Sequence, residues 1–537
     1  MNMKSIYKYF ITILVATTTF TACSMDDLEI EQQGVLTTDK YLTANDSEVE
    51  QFIAAIYAVV LGDSFEAVLQ GEPASYRSFQ YEMNRMGAET SNYYAYNESA
   101  DAKTYSAIWR YYYRTIYWCN MIIEYLPGNK VASANVKEQV LAEARTIRAI
   151  SMMYLVQLYG NPPLANHILN GSEGNTPASE SWAFIESELN ATAEILPTKA
   201  ALGGQATIGG RLTREAAYAY LGKAQLWQKK YDEAAKTLYN KVIATKKYAL
   251  YDNYNDYNSS RSDFSDENIW EFDFNGDPSV VKSQEGCFDL ACFSPGVSMW
   301  FDTWASLLMT WAMGANASAS YVDFLIAHDG ENSARYNASI LECCTASTRG
   351  VLSTPIAECE GYLKIKDQCL AEDVVGEFPY YYNKRNVAYM RYAEVLLNYA
   401  EAVAEGGTQG AMSGLEALNL VRRRAGLEDA PTLSMDDTNY GVKAERRIEL
   451  FAEGHRFIDL VRWGDAATEL KNCGKLLYTC NLNNGVEIAP GVNMYFGKEI
   501  LSSSTGGNGF QSGKHELFPI PTTDINNNPI LKQNPNW

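Results

Sequence analysis

Apolar residues recur along much of this chain at the spacing of one helix face. In SEVEQFIAAIYAVV, which begins at Ser47, the apolar positions Phe52, Ile53, Ile56, Val59 and Val60 have the spacing of one helix face. This periodicity predicts an amphipathic α-helix. Longer segments with a similar pattern end at proline or glycine, which stop helices. They are AIWRYYYRTIYWCNMIIEYL, VKEQVLAEARTIRAISMMYLVQLYG and WAFIESELNATAEIL.

The segment REAAYAYLGKAQLWQKKYDEAAKTLYNKVI, from Arg214 to Ile243, predicts two helices joined by a short turn. It matches the tetratricopeptide pattern, in which small residues let two helices cross closely. Gly222 and Ala234 are such small residues, and Tyr231 is expected to open the second helix. A second, interrupted copy reads RYAEVLLNYAEAVAEGG and then GLEALNLVRRRAGL. One such unit cannot bury its apolar face alone, so stacked units are expected.

The first residues are typical of an export signal. Lys4 and Lys8 precede a mostly apolar stretch from Tyr9 to Phe20, and this stretch is shorter than the roughly 20 apolar residues that span a bilayer. A signal peptide therefore fits better than a membrane helix. Cys23 closes the sequence FTAC, which resembles a bacterial lipobox and implies cleavage before Cys23 and its acylation. A plain secretory signal with a chance cysteine is the alternative.

Helical patterning is weak between residues 253 and 385, where Gly, Asn and Ser are common, and the chain is turn-rich again from residue 472. These changes divide the chain into six parts, of which the last four are expected to form one domain. The parts are a signal peptide (1–22), a lipidated tether (23–46), an N-terminal helical part (47–252), a loop-rich insertion that forms the ligand face (253–385), a C-terminal helical part (386–471) and a loop-rich closing segment (472–537).

Charge and cysteine usage limit the possible partners. The net charge of −21 repels phosphate backbones, so a nucleic-acid partner is not expected. Ten cysteines suit an oxidising compartment. Three cysteine pairs are close enough in sequence to close small loops, and none has the CxxC spacing of a zinc or redox site, so no metal is expected. The pairs are Cys287/Cys292, Cys359/Cys369 and Cys473/Cys480.

Motifs of catalysis are not found in the sequence. The four histidines do not form HExxH, and no GxSxG is present. GNGFQSGKH resembles a phosphate loop only superficially, because Asn508 stands where that motif needs glycine. In EGHRFIDLVRW, His455 and Asp459 are four residues apart and could form an acid–base pair. We favour the alternative, a buried polar network that joins this segment to its neighbours.

Several segments, taken in order, resemble the SusD/RagB family of nutrient-binding lipoproteins, and the resemblance covers nearly the whole chain after the signal. The segments are AEARTIRAISMMYLVQLYGNPPL, LTREAAYAYLGKAQLW, MRYAEVLLNYAEAVAE, ERRIELFAEGHRFIDLVRWG and HELFPIPTTDINNNP. The resemblance implies a mainly α fold, a helical platform of tetratricopeptide-like repeats with irregular, loop-rich insertions. It also implies a lipid-anchored protein of the outer membrane and cell surface that captures glycans, or less often peptides. The implied partner is a SusC-like TonB-dependent transporter.

A glycan-binding site is expected to contain aromatic side chains, because the C–H face of a sugar stacks on an aromatic ring. Two clusters lie outside the repeat motifs, where insertions usually build a binding face. The spacing of the second cluster also fits one face of a core helix. We interpret the aromatic residues between Trp109 and Trp118 as packing, because they lie on a regular helix. The candidate ligand residues are Asn92, Tyr93, Tyr94, Tyr96 and Asn97 in the first cluster, and Trp300, Asp302, Trp304 and Trp311 in the second.

The sequence therefore predicts a non-enzymatic protein that captures oligosaccharides without a cofactor. Peptide capture by the same fold is the nearest alternative. A surface glycoside hydrolase would need two carboxylates roughly 5 to 10 Å apart in a cleft, which a sequence alone does not test. A tetratricopeptide adaptor for protein partners is the fourth possibility.

Overall fold

The computed structural model describes a mainly helical protein, which confirms the predicted fold class. The described residues are 38–61, 96, 99–203, 210–257, 259–272, 317–348, 356–357, 359–366, 374–377, 380–383, 386–489 and 492–537. The helices are α1 (Thr38–Thr43), α2 (Asp46–Leu61), α3 (Lys103–Tyr125), α4 (Ala134–Tyr159), α5 (Ala178–Ala193), α6 (Arg214–Trp227), α7 (Tyr231–Lys241), α8 (Ala319–Asp329), α9 (Ala334–Ser339), α10 (Cys343–Thr348), α11 (Tyr392–Ala404), α12 (Gly414–Arg424), α13 (Val442–Glu449), α14 (Arg456–Trp463), α15 (Ala466–Glu469) and α16 (Thr522–Asn527). Within these ranges, no helix has the length and apolar character needed to cross a membrane.

The long helices pack against their neighbours largely in chain order. α3 lies against α4, α4 against α5, α5 against α6 and α6 against α7. α7 then packs on α11, which pairs with α12. The helices before residue 252 and those after residue 386 therefore contribute to one large apolar core. α4 lies deep in this core, since nearly every residue from Val140 to Tyr159 is buried.

The pair of α6 and α7 is the helix–turn–helix predicted from its sequence. Gly222 lies where the two helices cross, because a Cβ at this position would come within 2.4 Å of Leu238 Cδ2. The second helix begins at Tyr231, as predicted. The interrupted copy forms α11 and α12, and a Cβ at Gly414 would come within 2.7 Å of the Val403 Cβ. Both pairs thus use a glycine to bring two helices together.

Short antiparallel sheets join segments that are distant in sequence. β1 pairs with β7, β2 with β4, β5 with β6 and β9 with β10, while β8 lies between β3 and β11. The pair of β1 and β7 connects the predicted insertion to the start of α11. The strands are β1 (Asn268–Phe272), β2 (Ile340–Glu342), β3 (Ile356–Ala357), β4 (Tyr362–Lys364), β5 (Val374–Glu377), β6 (Tyr380–Asn383), β7 (Val387–Arg391), β8 (Leu476–Asn483), β9 (Val486–Ala489), β10 (Val492–Met494) and β11 (Gly497–Ser504).

The long antiparallel pair of β8 and β11 was not predicted. Its eight paired positions run from Gly497 opposite Asn483 to Ser504 opposite Leu476. Leu476 and Leu501 are among the exposed large apolar residues of this pair. The strands therefore lack the regular alternation of buried apolar and exposed polar residues by which a strand is recognised in a sequence.

Cys473 and Cys480, which are near enough in sequence to close a small loop, do not form one. Cys473 lies in the main core, whereas Cys480 belongs to a separate apolar cluster together with Cys343 and Cys359. No disulfide joins Cys473 to Cys480. Sequence proximity misled here because Cys480 lies within β8, where its neighbours come from other strands. The pair Cys287/Cys292 and Cys369 lie outside the described residues.

Candidate functional site

A pocket of about 570 Å³ opens beside α3. Its walls are one face of α3, the segment from Pro163 to Glu173 and the C-terminal segment from Asp524 to Leu531. α3 contributes Arg110 to the lining of the pocket. Further lining residues follow Arg110 three, four and seven positions later, which places them on the same face of the helix. The α3 residues of this face are Arg110, Tyr113, Arg114 and Tyr117.

The aromatic side chains of the pocket differ in how they are held. The Trp109 ring is buried, lies 4.7 Å from the Tyr113 ring between centroids, and donates a hydrogen bond from Nε1 to Asp524 at 3.3 Å. The Tyr113 hydroxyl donates to the carbonyl of Pro163 at 2.7 Å. Tyr117, in contrast, is 43% exposed. The pocket therefore combines fixed inner rings with one accessible ring.

Charged and amide groups surround these rings. Burial alone would raise the pKa of Glu173. The backbone N–H groups of Asn170 and Gly171 each lie 2.9 Å from a carboxylate oxygen of Glu173, and their hydrogen bonds contribute to a net lowering of this pKa. Glu173 is therefore a carboxylate at neutral pH. Guanidinium groups of Arg110 and Arg114 also line the pocket. Such a set of donors and acceptors around aromatic rings suits a polar ligand with apolar faces.

The sequence interpretation of the α3 aromatics was only partly right. Trp109 and Tyr112 are buried, and Tyr113 and Trp118 pack against the main core, as expected of packing residues. Tyr117, however, is exposed and lines the pocket. The interleaved Arg110 and the neighbouring arginine on the same face were the available signal, because packing faces seldom carry arginine.

Most of the predicted ligand residues lie outside the part of the chain that the structure describes. Tyr96 is described, and it is 7% exposed. Its ring centroid lies 5.5 Å from that of Phe510 and 5.0 Å from that of His515. The ring therefore packs in the core, and a ligand contact of Tyr96 stays a prediction. The residues that lie outside the described part of the chain are Cys23, Asn92, Tyr93, Tyr94, Asn97, Trp300, Asp302, Trp304 and Trp311.

His455 and Asp459 belong to a buried polar network, as favoured from the sequence. His455 precedes α14, and its Nε2 lies 3.7 Å from a carboxylate oxygen of Glu394. Asp459 instead accepts hydrogen bonds from Arg446 at 3.0 and 3.1 Å and from Arg462 at 2.9 Å. Burial lowers the pKa of His455 to about 4. The imidazole is therefore neutral at neutral pH, and Asp459 is engaged by the two arginines.

Replacing His455 with alanine is expected to lower the free energy of unfolding by about 1 to 3 kcal/mol, because a buried polar side chain loses its partner. The melting temperature should fall, and ligand binding by the folded variant should be unchanged. His167→Ala is the matched control, since the side chain of His167 is 55% exposed and its loss should change stability little. A His455 variant with the parent melting temperature and selectively lost function would contradict the structural role.

Comparison with known proteins identifies the family. A model described as the SusD family matches residues 377–537, and a model described as starch-binding associating with outer membrane matches residues 36–226. The chain belongs to the SusD/RagB family. The description of the second model associates this family with the outer membrane.

Relatives of the SusD/RagB family match this chain over most of its length. A SusD-like protein P25 of Formosa agariphila is 23% identical over 547 residues, which cover 95% of each chain. A SusD-like protein of Bacteroides ovatus is 22% identical over 80% of this chain and 81% of its own length. The relatives and solved neighbours are named as SusD-like or glycan-binding proteins and not as enzymes.

Solved structures share the SusD-like fold. A laminarin binding SusD-like protein superposes with a TM-score of 0.69 at 22% identity, covering 92% of this chain and 100% of its own. Surface glycan-binding protein A from Bacteroides fluxus superposes with a TM-score of 0.67 at 22% identity and the same coverage. The helical platform described above is therefore the SusD-like fold.

Proposed function

We propose that this protein captures oligosaccharides at the bacterial cell surface and delivers them to a SusC-like TonB-dependent transporter without cleaving them. Membership of the SusD/RagB family carries the proposal. It is supported by the names of structural neighbours, which include a laminarin binding protein and surface glycan-binding proteins. A lipid on Cys23 would hold the protein at the outer membrane. The tether would be shorter than the predicted 23–46, because α1 begins at Thr38 and Tyr41 is buried in the main core.

The pocket beside α3 is our candidate for a glycan contact surface. Tyr117 offers an accessible ring, and its helix neighbours Arg110 and Arg114 carry hydrogen-bond donors. Glu173 also lines the pocket and supplies acceptor oxygens. A sugar can stack its apolar face on the tyrosine while its hydroxyl groups bond to these charged groups.

The aromatic platform predicted from residues 92–97 and 300–311 remains a second candidate surface. Each surface would hold an oligosaccharide through a few stacked rings. A few such contacts give modest affinity, in the micromolar to millimolar range, or about −4 to −8 kcal/mol. Modest affinity suits a protein that releases its cargo to a transporter.

The test is to find a ligand on a glycan array and then to measure its binding by calorimetry. Tyr117→Ala should raise the Kd by about tenfold, which corresponds to about 1.4 kcal/mol, because the accessible stacking ring is lost. Phe496→Ala is the control, since Phe496 is 64% exposed and is not part of the pocket lining. Alanine variants of the platform residues test the second surface in parallel. They are Tyr93→Ala, Tyr94→Ala, Tyr96→Ala, Trp300→Ala and Trp304→Ala.

Different results would reject different parts of the proposal. If every variant folds and binds like the parent, both surfaces are misplaced. If the array gives no glycan while a peptide library gives a ligand, the cargo is a peptide. If the parent protein shortens the oligosaccharide on prolonged incubation, the protein is an enzyme.

A further inference from the structure

Three cysteines that are far apart in sequence meet in the small apolar cluster beside β8. Cys343 opens α10, Cys359 follows β3, and Cys480 lies within β8. The Sγ atoms of Cys343 and Cys359 are 3.3 Å apart. All three Sγ atoms lie within 4.8 Å of one another. Three separate segments of the chain thus converge on one group of sulfurs.

Backbone pairing fixes this convergence. Cys480 of β8 is directly opposite Ala357 of β3, and Cys359 follows Ala357 by two residues, so this pairing brings Cys359 close to Cys480. The N–H of Cys343 donates to the carbonyl of Gly361 at 3.1 Å, in continuation of the pairing between β2 and β4. The three thiols are therefore positioned by the strands themselves.

The surroundings of the cluster include a backbone N–H group and a lysine ammonium near the sulfurs. All three cysteines are fully buried, and the N–H of Gly361 lies 3.4 Å from Cys359 Sγ, within the range of a hydrogen bond to sulfur. The Lys498 ammonium lies beside Gly361, since a Cβ at Gly361 would come within 3.0 Å of Lys498 Nζ. The same glycine donates its N–H to Cys359, so a positive charge lies near the cluster.

The number of sulfurs favours an ion over a disulfide. Sulfurs bound to one Zn²⁺ at about 2.3 Å lie roughly 3.8 to 4.0 Å from one another, and the observed group can reach these separations by small side-chain movements. A disulfide would join two of the sulfurs and leave the third thiol buried alone. Only a metal ion uses all three.

We propose that Cys343, Cys359 and Cys480 bind a thiophilic metal ion, Zn²⁺ or Cu⁺, as three thiolates. Both ions prefer sulfur ligands. Binding releases the thiol protons to solvent, and Lys498 offsets part of the negative charge that three thiolates bring. The ion links α10, the segment between β3 and β4, and β8, so it stabilises the strand-rich part of the molecule. The spacing rules that predicted no metal missed this group because its members are 16 and 121 residues apart.

The test begins with the full chain, reduced and freed of metal. It is incubated with Zn²⁺, with Cu⁺ under anaerobic conditions, or with Co²⁺ as a spectroscopic probe, and is then desalted. We expect the parent to retain one equivalent of metal, to show the thiolate-to-Co²⁺ charge-transfer band, and to melt at a higher temperature than the metal-free chain. Cys480→Ser and Cys343→Ser should lose all three properties. Cys119→Ser is the matched control, because Cys119 is equally buried but lies in the main core.

Two further measurements on the parent chain keep the test independent of whether a variant folds. Bound metal should protect three cysteines from alkylation, and peptide mapping should identify them as Cys343, Cys359 and Cys480. The proposal is overturned if the reduced parent takes up no metal, or if uptake persists in Cys480→Ser. It is also overturned if the isolated chain carries a disulfide between two of these cysteines and takes up no metal after reduction.

Discussion

Replacing Arg391 with alanine is expected to lower the free energy of unfolding by about 3 to 5 kcal/mol, the usual cost of removing one partner from buried ion pairs. Arg391 is 3% exposed. Its guanidinium donates to Glu267 at 2.9 Å, to Glu449 at 2.7 Å and to both carboxylate oxygens of Glu453 at 2.7 Å. It also donates to the backbone carbonyl of Glu449 at 2.7 Å.

The large cost follows from what the substitution leaves behind. Glu267, Glu449 and Glu453 would keep their negative charges in the interior with fewer positive neighbours. Arg424 pairs with Glu267 and Glu449, and Lys366 pairs with Glu453, so the network would not be left without cations. These cations already pair with carboxylates, however, so moving one of them into the position that Arg391 vacates would weaken the pairs it now makes.

Urea unfolding of the parent and the variant at neutral pH measures this effect. Arg423→Ala is the control, because Arg423 pairs with Glu416 at 2.8 Å and Asp429 at 2.7 Å while its side chain is 45% exposed. Solvent-exposed pairs contribute about 0 to 1 kcal/mol. Equal losses in the two variants would show that the buried network does not carry the stability assigned to it.

The sequence was most informative where structure depends on local spacing. The segments that became α3, α4, α6 and α7 were predicted from the recurrence of apolar positions, and the close approach at Gly222 was predicted from its place in the repeat pattern. Helices follow local rules because their backbone hydrogen bonds join residues four apart. Small residues at crossings are equally local signals.

Such local rules do not predict contacts between segments that are far apart in sequence. The sequence predicted that a buried polar network joins the segment around His455 to its neighbours, but it did not name the partners. Glu449, for example, is bound by Arg391, Arg335 and Arg424 from other elements. The three-cysteine cluster depends on how distant strands pair. The pocket wall formed by residues 524–531 depends on the C-terminal segment folding back against α3. Residue spacing within one segment predicts neither contact. The candidate site was therefore predicted less completely than the fold.

Acidification is expected to destabilise the protein strongly between about pH 6.5 and pH 2. Burial alone would raise the pKa of Glu449, but the guanidinium groups of Arg424 and Arg391 outweigh burial and lower it to about 2. The pKa of Glu453 is lowered to about 2 in the same way, chiefly by Arg391 and Lys366 acting against burial. In the unfolded chain these carboxyl groups titrate near 4.5.

The sign follows from which state binds the proton first. Between pH 4.5 and 2 the unfolded chain takes up protons at Glu449 and Glu453 that the folded protein excludes, so the stability present above pH 4.5 is lost as the pH falls. Each group contributes on the order of 3 kcal/mol, since one pKa unit corresponds to about 1.4 kcal/mol. His455 adds to the loss at higher pH, because its folded pKa of about 4 lies below the ordinary value of 6.5.

Urea unfolding at a series of pH values from 7 to 3 measures the expected slope. Glu449→Gln should be less stable than the parent at pH 7, yet it should lose less stability on acidification, because one of the protonation sites has been removed. Glu416→Gln, at an exposed site that pairs with Arg423, should leave the slope unchanged. A flat profile for the parent between pH 6.5 and 3 would mean that the buried carboxylates keep ordinary pKa values. In that case the arginines do not offset their burial, and the large effect expected for Arg391→Ala would have to be abandoned as well.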